Sequence, residues 1–406
     1  MVSKSSCLAR LFTLGFTLIA IVLLVFGSIY WSRVQAFNRT IDELESRGVP
    51  TKWADLIPEE NLADEDNAIW ILESEKEKFA QLVTRNYEII KDLRFDEPLT
   101  ENQVVQLEAS FAKNPELFDL LDRVMDASAS QPLIDYTNPE TLNFVTLLQT
   151  QHNITRTLAL KIRTLLFRDN TDQALKWALT GWKLADLMNE YPTLVSNMAN
   201  TSRRLVMLSS LANVMKATKL SAKDSQLIEQ ILSDADELSF FDFPLITERV
   251  LFLENKKVSP LFGNHFLKVF EQELEFGTRS YFETDTENRA LFKPPSDTIF
   301  KFVNGETSAF HHLPGLYQLR RSISMIRGEM RSIRVLNALQ QMNANGKNTI
   351  RDVKLPENAK IDPFNGEPLI IKFTDDGWQV YSVGQNLKDD GGVLGLDSGA
   401  GLVSEE

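Results

Sequence analysis

Only one cysteine occurs in the 406 residues, Cys7, and it precedes any stretch that could fold into a body. Everything downstream is therefore free of disulfides and must be held by its core, which a chain of this length can build. Histidine is nearly as scarce, at four. The adjacent pair His311-His312 sits beside Pro314, neighbouring side chains diverge on most backbones, and no second ligand cluster accompanies them, so no metal site is expected there. Basic residues number 43 against 56 acidic ones, a net charge of −13. No basic stripe could neutralise phosphates, which excludes nucleic acid as a partner. Catalytic signatures are missing too: no phosphate-binding glycine loop with its lysine, no dinucleotide fingerprint, no His-Glu-x-x-His, no nucleophile elbow. No enzyme is expected; that reading would need a pocket gathering Glu254, Arg279 or His311 with other polar groups.

Long apolar runs are absent with one exception, Leu11 to Trp31, which carries no charged side chain. At about 1.5 Å per residue it covers the roughly 30 Å hydrocarbon core of a bilayer. Lys4 and Arg10 precede it, and Tyr30 and Trp31 form an interfacial aromatic belt at its exit. A signal peptide cut near Val34-Gln35-Ala36 is the competing reading, but the run exceeds the roughly 7–15 residues of a signal core. An anchor is expected, with the amino terminus inside, since long domains translocate largely regardless of flanking charge.

The remainder reads as helices with short joints. Asn67 to Val83 spaces Ile69, Leu72, Phe79 and Leu82 on one side. Thr100 with Gln103 has the spacing of a capping box, Pro115 opens a helix to Met125, and Asn138-Pro139 opens another to Phe167. Asn170 caps a helix whose Leu175, Ala178, Leu179, Trp182 and Ala185 form one stripe. The next aligns Leu194, Met198, Leu205, Leu208, Ala212 and Met215. Ser221 with Asp224 caps a fourth that buries Leu227, Ile228, Ile231 and Leu232. Such a series predicts antiparallel helical hairpins. Phe240 to Phe310 holds thirteen of the 25 phenylalanines. They are expected as core filler, an apolar groove for peptide or lipid being the alternative. Within it Glu271 and Glu275 share a helix face as an exposed like-charge pair, and Glu273 points elsewhere. A long helix from Tyr317 to Met342 carries Arg320, Arg321, Arg327, Arg331 and Arg334.

After Lys354 the character changes. Asp362-Pro363 and Asn365-Gly366 are turn signals, and Leu369–Phe373 and Trp378–Val383 are β-rich runs joined as a hairpin. Asn386, Asp389 and Asp390 then place oxygen donors in one short loop, the donors calcium takes; a plain polar turn is the competing reading. Leu396-Asp397-Ser398-Gly399 superficially matches a serine-protease nucleophile but lies in a glycine-rich stretch with no expected strand.

Ile361-Asp-Pro-Phe-Asn-Gly-Glu-Pro-Leu369, Val380-Tyr-Ser-Val-Gly384 and Asp389-Asp-Gly-Gly392 resemble the C-terminal module of type II secretion major pseudopilins. That likeness implies calcium at the loop, although Asn386-Leu387 stands where Asp-Gly is usual. Gly15-Phe-Thr-Leu-Ile19 resembles the start of a pilin, with Ala20 in place of the glutamate used in assembly. The block is more similar to a group of single-pass, mostly helical membrane proteins of planctomycete-type bacteria without an assigned activity. Gly48-Val-Pro50, Asp66-Asn-Ala68 and Tyr191-Pro-Thr-Leu194 share that likeness, which implies topology and no mechanism.

The expected fold is mainly α. Residues 1–10 are cytoplasmic, 11–31 a transmembrane helix in contact with lipid, 38–350 an extracytoplasmic helical body, 355–392 a pseudopilin-like β-hairpin module and 393–406 a flexible tail. The expected role is binding or structural, with an unidentified protein partner; a pilin-like assembly subunit is the alternative.

Overall fold

The computed structural model describes residues 4–57, 66–90, 98–127, 130–131, 133–135, 144–187, 193–237, 242–254, 260–277, 281–282, 313–375 and 377–402. The chain is mainly α, with one long apolar N-terminal helix and a small antiparallel sheet near the C-terminus. The helices are α1 (Lys4–Ser46), α2 (Ala68–Ser74), α3 (Lys76–Ile90), α4 (Glu101–Ala112), α5 (Glu116–Asp126) and α6 (Phe144–Phe167). They continue with α7 (Thr171–Asp186), α8 (Leu194–Ala217), α9 (Ala222–Glu237), α10 (Asp242–Glu254), α11 (Pro260–Gly277) and α12 (Leu313–Gln341).

Helix α1 runs unbroken for 43 residues, so the apolar run and the polar stretch after it are one element. Its first part is bare, Leu24 being 73 % exposed and Trp31 65 %. It is the one helix among the described residues long and apolar enough to cross a membrane. Its last part is covered. Phe37, Ile41 and Leu44, at i, i+4 and i+7, pack with Val49, Leu253 and Leu267 in a small cluster on α11. Gly263 permits that approach, since a Cβ there would sit inside the Phe37 ring.

The expected caps form. Thr100 and Gln103 close a reciprocal box at α4, Asn170 accepts from Gln173 N at α7, and Ser221 accepts from Asp224 N at α9. The Asn67–Val83 segment is two helices broken at Glu75, and Ile69, Leu72, Phe79 and Leu82 are all buried. Two stripes differ from expectation. Met198 of α8 and Leu227 of α9 are exposed. The first half of α8 instead buries Ser196, Asn197, Asn200, Thr201, Arg203 and Arg204. The Asn138-Pro139 start lies outside the described residues.

The sheet has the order β1 (Ile370–Thr374), β2 (Gly377–Ser382), β3 (Ser398–Ala400), all antiparallel. Ile370 pairs with Tyr381 and Thr374 with Gly377 in the expected hairpin. The third strand lies inside the stretch expected to be a flexible tail: Tyr381 pairs with Gly399. Glycine is what admits it, because a Cβ at 399 would collide with β2. Val353, Leu369, Val380 and Ala400 belong to the same apolar core as α2 to α12, so the sheet packs as part of the body.

Candidate functional site

Asp362 organises the C-terminal sheet. One carboxylate oxygen accepts from Phe364 N at 2.8 Å and Ser382 Oγ at 2.8 Å, and the other accepts from Val383 N at 2.8 Å. The Asp-Pro turn is thereby clasped to the end of β2. Burial raises the Asp362 pKa, and these hydrogen bonds and Arg331 oppose the rise. Ser382 Oγ also accepts from Gly384 N at 3.1 Å, which leads the chain into the loop.

The three loop residues occupy two positions. Asn386 donates from Nδ2 to Asp390 Oδ2 and accepts from Lys388 N. Asp389 instead turns to Tyr381, whose hydroxyl donates to it at 2.8 Å, and lies 3.5 Å from Lys372 Nζ. The loop is closed from beneath by Asp397, buried, which accepts from Gly392 N at 2.7 Å and Val393 N at 3.2 Å. Among the described residues no group of three or more His, Cys, Asp or Glu side chains is placed to hold a metal ion. One oxygen of each is engaged within the chain: Asn386 Oδ1 by Lys388 N, Asp389 Oδ1 by Tyr381, Gly391 N and Lys372, and Asp390 Oδ2 by the Asn386 amide.

Helix α12 is the seat of the sheet. Gly328 faces Ser382 and Pro363, and a Cβ there would come within 3.3 Å of the Ser382 Cβ. Arg331 donates from Nη1 to Ile361 O at 2.9 Å and from Nε to Asp236 of α9 at 3.0 Å. Arg334 joins Glu229 at 2.7 Å and Asp236 at 3.3 Å. Glu329 receives Ser398 Oγ at 3.2 Å and the Gly399 N–H, and burial pushes its pKa up to about 8. The Asp397-Ser398 pair thus serves the docking of β3. Nothing local in the sequence marks that role: the pair lies in a glycine-rich run and superficially matches a nucleophile motif.

A second constellation lies where α1 meets the body. An open cleft of about 440 Å³ is lined by Arg47, Val49, Ile246, Arg249, Glu271 and Glu275, among others. Arg249, 1 % exposed, donates to Glu271 at 2.9 Å and to Pro50 O at 3.3 Å. Glu271 also lies 3.7 Å from Arg47 at the end of α1. Burial lowers the Arg249 pKa and Glu271 opposes this. The exposed pair expected at Glu271 and Glu275 is therefore a partnered site, since Glu271 serves two arginines. Glu273 points into the core beside Arg320 at 3.8 Å, and burial pushes its pKa up to about 7. Glu254 accepts from Trp53 N at 2.8 Å. Arg279, His311 and His312 lie outside the described residues. Of the phenylalanine-rich stretch, Phe266 and Phe270 are buried and Phe252 stacks on Phe266 at 4.3 Å.

The chain matches none of the protein-family models, curated proteins or solved structures with which it was compared.

Proposed function

We propose that this chain is a single-pass membrane protein, held in lipid through residues 11–31 with its amino terminus in the cytoplasm. Its helical body works outside the cytoplasm as a binding or structural protein. The observation that carries the reading is α1, one helix that is bare and apolar in its first part and docked on α11 in its last. A bare apolar face of that length is unfavourable in water and favourable in a bilayer. The docked part then holds the body at a set height, about 22 Å of helix beyond Trp31 at 1.5 Å per residue.

Membrane fractionation followed by alkaline carbonate extraction tests the anchor. The protein stays in the pellet, and release into the supernatant would sink the reading. The single cysteine reports orientation: Cys7 reacts with a membrane-impermeant maleimide only after the cells are permeabilised. Labelling in intact cells would reverse the topology. Incubation with a prepilin peptidase separates this reading from a pilin-like subunit. An intact Met1 or Val2 favours the anchor, and a new N-terminus near Gly15-Phe16 favours the subunit.

A further inference from the structure

Among the described residues six arginines are buried: Arg203, Arg204, Arg249, Arg320, Arg331 and Arg334. Five face a carboxylate: Arg204 on Asp186, Arg249 on Glu271, Arg320 on Glu273, Arg331 on Asp236 and Arg334 on Glu229. Arg203 of α8 has none. It is 3 % exposed, its Nη2 donates weakly to Leu148 O at 3.4 Å, and its Nη1 has no hydrogen-bond partner. Burial lowers its pKa to about 10, with no acid opposing the fall. An unpaired buried cation is strongly unfavourable, so a fold that keeps one has left a counter-charge to be supplied from elsewhere.

The surroundings of Arg203 fit an anion. Across from it on α6, His152 and Arg156 are four residues apart and share a face. The charges of both Arg156 and Arg203 lower the His152 pKa, after partial burial, which puts each arginine within electrostatic reach of His152. Exposure falls from His152 at the surface through half-buried Arg156 to buried Arg203. Neither His152 nor Arg156 is tied down by a side-chain hydrogen bond or ion pair. The neighbouring buried residues are polar: Gln151, Asn153 and Thr157 on α6 and Asn197, Asn200 and Thr201 on α8. Farther along the same helices the burial is apolar, with Leu158 and Ile162 on α6 and Leu208 and Leu211 on α8. A basic, amide-rich seam in a chain of net charge −13 is a local inversion of the overall charge.

We propose that the seam between α6 and α8 binds an oxyanion, a carboxylate or a phosphate group, with Arg203 as its buried ligand and His152 and Arg156 at its mouth. The guanidinium takes two oxygens of either group in parallel. The site does not depend on the anchoring of α1.

Thermal unfolding of the full-length protein in detergent tests it, with sodium phosphate and sodium succinate compared against sodium chloride at equal ionic strength. Phosphate or succinate raises the Tm saturably, by at least about 2 °C over chloride, and the one that saturates at lower concentration identifies the group. Arg203→Gln abolishes the shift. If that variant does not fold, Arg156→Gln weakens the apparent affinity at least about threefold. Equal Tm in all three salts, or an undiminished shift in either folded variant, would overturn the proposal.

Discussion

The two ends of the chain dock on one helical body by opposite means. At the N-terminal joint α1 lies on α11 through Phe37, Ile41 and Leu44, in a small cluster separate from the main core. Beside it runs a polar tie, Arg47–Glu271–Arg249 with Arg249 also reaching Pro50 O, and Arg249 keeps an unpartnered Nε. At the C-terminal joint the sheet shares the main core and is tied to the body by hydrogen bonds through Asp362, Arg331, Asp236 and Asp397. Apolar docking tolerates sliding, because dispersion and burial are not directional. A clasp of charged hydrogen bonds fixes one register and fails steeply when one member is lost.

That contrast is open to attack at its stronger side first. Asp362→Ala leaves Phe364 N, Val383 N and Ser382 Oγ without their acceptor and should cost about 3–5 kcal/mol, read by denaturant unfolding in detergent. A loss below about 1 kcal/mol would show that the core, and not the clasp, holds the sheet. At the N-terminal joint, Gly263→Leu drives a side chain into Phe37 and should cost about 2–4 kcal/mol. The damage should be local, with hydrogen exchange rising across residues 37–44 and unchanged in α12. Adding Phe37→Ala should restore part of the loss, and simple additivity would argue against direct contact.

A smaller effect comes from titration. In the fold the Glu329 carboxyl stays protonated up to about pH 8, whereas its ordinary value is 4.5. Stability is therefore full below pH 4.5 and declines as the pH rises through about 8. Glu329→Gln should remove that slope and gain about 1–3 kcal/mol over the parent at pH 8.5, with little difference at pH 4.5. An unchanged slope would move the effect to Glu273, whose carboxyl titrates at about 7. The smallest signal expected is calcium at Asn386, Asp389 and Asp390, followed by Trp378 fluorescence. No response up to millimolar calcium would leave the loop as a hydrogen-bonded turn.

Local signals were legible in the sequence wherever the structure uses local physics. The apolar run of α1, the caps at Thr100, Asn170 and Ser221, and the β1–β2 hairpin all rest on residues within a few positions of one another. What escaped were pairings between distant segments. Arg249 and Glu271 are 22 residues apart, Arg331 and Asp236 95 apart, and no periodicity encodes either. The β3 strand escaped for another reason: Ser398-Gly-Ala400 contains no strand-favouring residue and is held by its fit against β2. The stripe drawn through Met198 failed because α8 spends its first half burying arginines and amides, which a count of apolar residues cannot register. Of the buried, unpaired Arg203 the sequence carried no sign beyond that unusual polarity.

In the anchored arrangement proposed above, helix α1 has no joint between lipid and body. A hinge at the membrane surface would let the body pivot freely, but a continuous rod docked by Phe37 and Leu44 makes body and span turn together. Bilayer thickness then becomes a mechanical input. In a membrane about 3 Å thinner than the span, a rigid helix meets the mismatch by tilting about 25°, and its far end moves sideways by about 10 Å. The body would lean toward the lipid on one side and away on the other, so two membranes of different thickness would present different faces of the same protein to a neighbour.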